Sequence, residues 1–299
     1  MMRVLVTGAT GYLGGAICRA LLADGRRVAG TTRTEQGAAA LRALGCDPVF
    51  ADLEDPDGLA RACVGMDAVV HAAAINGPQR GAADRAAVEA MLGALGSGER
   101  AFVYTSGTWV LGDTGVAVAT EKWPCRPLPV NAWQLAVEER VLAAHHAGLR
   151  SAVVRPATVH GAAGGSLAAL VAQAKKRGAA RVVGSGHQMW STVHVDDLAD
   201  LYARVLRGID AGGIFHAASG CSYPARDLAL AAALAAGRPP HVEEWPIEQA
   251  RERLGEIADA LGMTQRVEAM RSRSVLGWVP RGPTALEDLL AGSYGSRAE

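Results

Sequence analysis

Lysine is nearly missing from this sequence: Lys122, Lys175 and Lys176 are the only three, against 30 basic residues in all. Net charge is missing as well, because 30 acidic residues balance the 30 basic ones. A balanced chain lacks the electrostatic footprint of a nucleic-acid surface, and no acidic or basic tail suggests such a partner. No run of about 18 apolar residues occurs, so a membrane span is not expected. The Ala/Leu-rich stretch 225–237 is too short for one. A secretory signal is not expected either: Met1-Met2-Arg3 leads straight into a strand pattern. The five cysteines, Cys18, Cys46, Cys63, Cys125 and Cys221, are odd in number and show no Cys-x-x-Cys spacing. That argues against a disulfide framework or a zinc site. Free thiols of this kind point to a reducing cytoplasm.

What the chain does have is apolar bulk. With 49% apolar residues over 299 positions, it can bury a large core as one domain or two intimate ones. Strand and helix patterns alternate from the start. Strands are expected at Arg3–Thr7, Val28–Thr32, Pro48–Ala51, Ala68–Ala73, Ala101–Thr105 and Ser151–Arg155. Helices are expected between them, the longest at about Ala132–Ala147 with Gly148 as its stop signal. Such alternation implies an α/β fold, a doubly wound parallel sheet covered on both faces. After Pro156 the pattern loosens, and the tail 242–290 is more charged and reads as a small helical lobe.

The first strand-to-helix turn is Thr7-Gly8-Ala9-Thr10-Gly11-Tyr12-Leu13-Gly14. Three glycines at three-residue spacing between a strand and a helix make a Rossmann-type phosphate turn. They permit a tight bend, close backbone approach to a pyrophosphate and close helix–strand packing. The helix N-terminus adds free N–H groups and partial positive charge. Carboxylates that hold a ribose 2′-hydroxyl usually lie about 20 residues past such a turn. Here the second strand ends Thr31-Thr32-Arg33-Thr34, with Glu35 only afterwards. Arg33 is suited to pair with a 2′-phosphate, which favours NADP(H) over NAD(H).

Several further segments, taken in order, resemble the extended short-chain dehydrogenase/reductases of the NAD(P)-dependent epimerase/dehydratase type. They are Asp52-Leu53 after the third strand, His71-Ala72-Ala73-Ala74 at the end of the fourth, and Tyr104 to Gly112. Arg155-Pro156-Ala157-Thr158-Val159-His160-Gly161, Thr192-Val193-His194-Val195-Asp196-Asp197 and Leu276-Gly277-Trp278-Val279-Pro280 follow. The resemblance covers nearly the whole chain. It implies a Rossmann domain over 1–160 with returning segments near 192–217, and a smaller α/β substrate lobe over 161–191 and 218–299. It also implies cofactor contacts from Thr7, Gly8, Thr10, Gly11, Tyr12, Leu13, Gly14, Asp52, Leu53, His71, Ala72, Ala73, Arg155 and Pro156 beside Arg33. A homodimer through a helix pair is common in the family.

The pattern breaks at the proton chemistry. The family uses Tyr-x-x-x-Lys at the start of the long helix, where a spacing of four sets both groups on one face. Four residues before the three lysines stand Val118, Val171 and Ala172, so the motif is absent. One register places Val130 and Gln134 at the two positions; a shift of one places Asn131 and Leu135 there. Asn131 and Gln134 can also be read as a helix N-cap pair. Substitute proton-handling or oxygen-binding groups are Ser106, Thr108, Gln134 and His160. Trp133, His187 and Trp190 are candidates for lining a substrate pocket. Four readings follow: an NADP(H)-dependent oxidoreductase acting on a small carbonyl, hydroxyl or imine compound; a sugar-nucleotide epimerase or dehydratase; a non-catalytic cofactor sensor; or a redox-neutral lyase or cyclase.

Overall fold

Short apolar segments bounded by glycine or by acidic turns become the strands of a parallel sheet in the computed structural model, which describes residues 1–295. The first half of the chain runs β1 (Arg3–Thr7), α1 (Tyr12–Ala23), β2 (Arg27–Thr32), α2 (Glu35–Leu44), β3 (Asp47–Phe50) and α3 (Pro56–Ala62). It continues through β4 (Ala68–His71), α4 (Arg80–Leu95), β5 (Gly98–Thr105), α5 (Pro129–His146) and β6 (Leu149–Pro156). The second half holds β7 (Thr158–His160), α6 (Gly165–Arg177), β8 (Ala180–Val183), β9 (Met189–His194) and α7 (Val195–Arg207). It ends with β10 (Gly213–Ala217), β11 (Ser222–Pro224), α8 (Ala225–Ala235), β12 (Val242–Trp245), α9 (Ile247–Leu254), α10 (Ile257–Gly262), α11 (Met270–Leu276) and α12 (Ala285–Ala291).

Seven strands form one sheet in the order β10-β6-β5-β4-β1-β2-β3, and every neighbouring pair is parallel. Parallel sheets need cover on both faces, and the side-chain alternation supplies it. Val4, Val6, Val70, Val103 and Val154 pack toward α1 and α7. Leu5, Val69, Phe102, Tyr104 and Val153 pack toward α3, α4 and α5. Side chains such as Leu5 and Phe102 are wholly buried, which stabilises the fold by about 1.5–3 kcal/mol each.

The second lobe is built on smaller sheets. In one, β9 pairs with β7 in parallel and with β11 antiparallel; in the other, β8 and β12 run parallel. Thr192, Val193 and His194 therefore belong to this small sheet, whereas β10 joins the large one beside β6. The charged tail contains β12 as well as helices, because Val242–Trp245 completes the edge offered by β8. The long helix α5 begins three residues earlier than the sequence suggests. Pro129 occupies its first position, where a missing N–H costs nothing. No side chain caps this end, so Asn131 and Gln134 are not an N-cap pair; both lie buried inside the helix. Among the described residues, no helix is long and apolar enough to cross a membrane.

Candidate active site

The carboxyl ends of β1, β2 and β4 enclose a cavity of about 360 Å³, lined by Gly8, Thr10, Gly11, Thr31, Thr32, Arg33, Ala51, Asp52, Leu53 and Ala72 to Ile75. Two glycines make its floor possible. Gly8 has φ +69°, and a Cβ there would lie 2.8 Å from the Ala73 Cα. A Cβ on Gly14 would lie 2.1 Å from the Gly8 carbonyl oxygen, so α1 can approach the turn only without one. No side chain caps the N-terminus of α1, and its first turn holds no acidic residue. The orphan N–H groups of that turn are left for an anion. At the rim the exposed Arg33 guanidinium lies 3.8 Å from the half-buried Asp52 carboxylate. A cradle that a Cβ would fill, uncapped N–H groups and an exposed arginine all fit the phosphates and ribose of a dinucleotide.

Beneath the cradle runs a buried polar chain. The Thr7 hydroxyl accepts from the backbone N–H groups of Ala72 and Ala73 at 3.1 and 3.2 Å. Its own proton is thus directed to His71 Nδ1 at 2.7 Å, which leaves Nε2–H to donate to Asp84 at 3.2 Å. The Tyr104 hydroxyl donates to the other Asp84 oxygen at 2.7 Å. Burial and the Asp84 charge push the Tyr104 phenol far above its ordinary value, so it is no acid at neutral pH. His71 and Thr7 act as struts that hold the Ala72–Ala73 wall, and neither lines the cavity.

Other residues expected at the cofactor turn elsewhere. The Tyr12 hydroxyl donates to the Gly161 carbonyl at 2.9 Å, and its ring fills the space a Cβ on Gly164 would need. Leu13 packs into the core. Arg155 is buried against Glu138 of α5, with Nε 2.9 Å from Oε1 and Nη2 bonded to Oε2. Pro156 ends β6 in the sheet, buried beside Ala217. Both lie outside the cradle lining.

The four candidates for proton handling separate in the same way. Thr108 donates to Gln265 Oε1 at 3.1 Å, while Gln265 Nε2 donates back to the Thr108 and Gly112 carbonyls. That network clamps two chain segments and uses up the hydroxyl. His160 is buried, with Nδ1 3.4 Å from Asp288 and its ring edge-on to His194 at 5.3 Å. Burial holds its pKa below the ordinary value against the pull of Asp288. It is a packed link to α12. Ser106 and Gln134 remain. Ser106 follows β5 directly, and its hydroxyl is buried without a partner. Gln134 is buried on the same helix face as Asn131 and Glu138. Asn131 is the residue that sequence spacing undervalues: it is 4% exposed and neither end of its amide has a partner. Orphaned polar atoms of this kind are rare in folded proteins and mark places for water or ligand.

Of the expected pocket residues, Trp133 lies on the far side of α5. Its ring packs against Gly81 and under the Arg80 guanidinium. His187 is exposed at an open depression with Asp113, Leu128 and Gln188. Trp190 alone lines an apolar, partly open pocket of the second lobe, together with Trp109 and Trp245.

A doubly wound parallel sheet with a glycine cradle at the reversal of strand order defines a dinucleotide-binding protein. The chain belongs to the NAD dependent epimerase/dehydratase family, whose model matches residues 4–218. An uncharacterized protein of Schizosaccharomyces pombe is 31% identical over 300 residues, covering 98% of this chain and 100% of that one. A 2-alkyl-3-oxoalkanoate reductase of Stenotrophomonas maltophilia is 28% identical over 285 residues, covering 87% of this chain and 83% of that one. In fold, the chain is similar to a dTDP-glucose 4,6-dehydratase from Streptomyces venezuelae with NAD bound, at a TM-score of 0.83 and 23% identity over 98% and 96% of the two chains.

Proposed function

We propose that the protein is an NADP(H)-dependent oxidoreductase that interconverts a small carbonyl or imine compound and its reduced form without a tyrosine acid. One observation carries the reading: on the sheet edge that continues from the cradle, the next strand end presents Ser106, whose hydroxyl is buried and free. When bound, the dinucleotide supplies or accepts hydride. Ser106 holds the substrate oxygen by donating its hydroxyl proton as a hydrogen bond. Asn131 or Gln134, from the adjoining buried face of α5, orients a water that carries the proton to or from that oxygen. None of these groups ionises near neutrality, so water is the proton source and the side chains position it.

Arg33 supports the NADP(H) preference, since β2 ends without a carboxylate and the guanidinium is 66% exposed. The name of the Stenotrophomonas reductase supports carbonyl reduction. Titrating NADPH and NADH by fluorescence, then following NADPH oxidation against a carbonyl panel, tests the reading. Tight binding with no oxidation across the panel would favour a second reading, a cofactor sensor. The absence of any Tyr-x-x-x-Lys spacing from the sequence gives that alternative its support.

A further inference from the structure

The partly open pocket of the second lobe has a volume of about 240 Å³. Its walls are Trp109, Trp190 and Trp245 with Leu170, Leu254 and Leu261. An apolar cavity of 150 Å³ accepts benzene, so this one takes an apolar body of about ten non-hydrogen atoms. Among the described residues, Arg181 is the one charged residue lining it. Its guanidinium is already committed, with Nε 2.7 Å from the Glu243 carboxylate and the Trp245 ring centroid at 5.3 Å.

Of the other polar groups, the Thr158 and Ser166 hydroxyls are uncharged, and the rest are committed at least in part. Both ends of the Gln265 amide are bonded to the Thr108–Gly112 segment. The Ser191 hydroxyl is bonded to Ser222 at 2.7 Å and accepts from the Val267 N–H at 2.8 Å. Gln173 accepts from the Arg181 N–H at 3.3 Å. A diphosphate placed here would lose its hydration and meet a single cation already neutralised by Glu243, which is costly.

Position ties the pocket to the reacting edge. Trp109 stands three residues after Ser106 and Thr158 two after Pro156, so the pocket meets the large sheet at the carboxyl ends of β5 and β6. The cradle lies at the ends of β1, β2 and β4. Since the sheet order is β2-β1-β4-β5-β6, Ser106 falls between cofactor and pocket.

We infer that the substrate is a carbonyl compound of about ten non-hydrogen atoms, its uncharged hydrocarbon tail seated among Trp109, Trp190 and Trp245, and not a sugar nucleotide. This rests on the oxidoreductase reading for the carbonyl and on the pocket alone for the tail.

The test uses the full chain with three probes: 2-nonanone, acetone and UDP-glucose. Quenching of tryptophan fluorescence reports binding, and NADPH oxidation is followed in parallel. Saturable quenching by 2-nonanone, and none by UDP-glucose, is expected. Ala169 lines the pocket from an exposed helix position, so Ala169→Phe fills it without disturbing a core. That variant should bind 2-nonanone about tenfold or more weakly and titrate NADPH as the parent does. Quenching by UDP-glucose without quenching by 2-nonanone overturns the inference, as does an Ala169→Phe variant with unchanged affinity. Binding of 2-nonanone with no NADPH oxidation removes the oxidoreductase reading and leaves the pocket assignment standing. Oxidation confined to acetone does the reverse.

Discussion

The turn Thr7–Gly14 and the first turns of α5 sit near one end of the same sheet, yet they are specified in different ways. The cradle is made of backbone. Its glycines are there because no side chain fits, and the ligand groups are main-chain N–H groups common to every residue. The start of α5 is made of side chains, Asn131, Gln134 and Glu138 on one buried face. A backbone site tolerates few substitutions. A side-chain site changes its chemistry with each replacement, and this chain carries a glycine cradle but no Tyr-x-x-x-Lys pair. Binding and proton transfer are therefore separable.

The largest effect should come from the side-chain region. Glu138→Ala strands the Arg155 guanidinium, only 2% exposed, and should cost about 3–5 kcal/mol in urea unfolding. Adding Arg155→Met should restore much of that loss; no restoration would mean that the pair contributes more than mutual neutralisation. In the backbone region, Gly14→Ala forces a methyl group to 2.1 Å from the Gly8 oxygen. It should cost about 1–3 kcal/mol and abolish NADPH binding, and unchanged titration would show that the turn can open without penalty.

Asn131→Leu sharpens the contrast. Its amide is buried and unpaired at both ends, so an apolar replacement should stabilise the protein by about 1 kcal/mol while slowing turnover about tenfold. A lower melting temperature would instead indicate an Asn131 held by ordered water. At the rim, Arg33→Ala should weaken NADPH about tenfold and leave NADH nearly unchanged; equal losses would remove the case for a 2′-phosphate contact.

Smallest near neutral pH is an effect that appears only in acid. His216 donates Nδ1–H to the Glu268 carbonyl at 3.2 Å, and burial, with Arg155 near, lowers its pKa to about 3. The folded protein thus keeps this ring neutral where the unfolded chain takes up a proton. The stability it preserves is complete above about pH 6.5 and is lost as pH falls toward 3. His216→Gln should flatten the acid limb of a melting-temperature profile over that window, and an unchanged limb would assign it to other groups.

Much of the fold could be read because its signals are local. Apolar runs such as Ala68–Val70, fully buried in β4, and the glycine spacing at Gly8 and Gly14 need only a few neighbours to interpret. The side chains that left the site were those whose direction depends on distant partners. Tyr12 points away from the cradle because Gly161, 149 residues on, accepts its hydroxyl. Thr108 is taken by Gln265 and His160 by Asp288. Starting α5 at Ala132 instead of Pro129 hid Asn131 as a buried helical residue. Of the tryptophan pocket, only Trp190 was legible in the sequence, because Trp109, Trp190 and Trp245 come from three separate segments of the chain.

The link from Tyr12 through the 161–165 loop also has a consequence for synthesis. Gly161 donates its N–H to the Tyr294 hydroxyl, 133 residues later in the chain, and Ser293 holds the Ala163 N–H of the same loop. Ala162 and Ala163 both have positive φ, a backbone state that persists only where surroundings impose it. On a ribosome adding about 5–20 residues per second, the loop would wait about 7–25 s for its last restraint. A nascent chain would therefore hold a finished phosphate turn for some time before the segment tied to Tyr12 could lock.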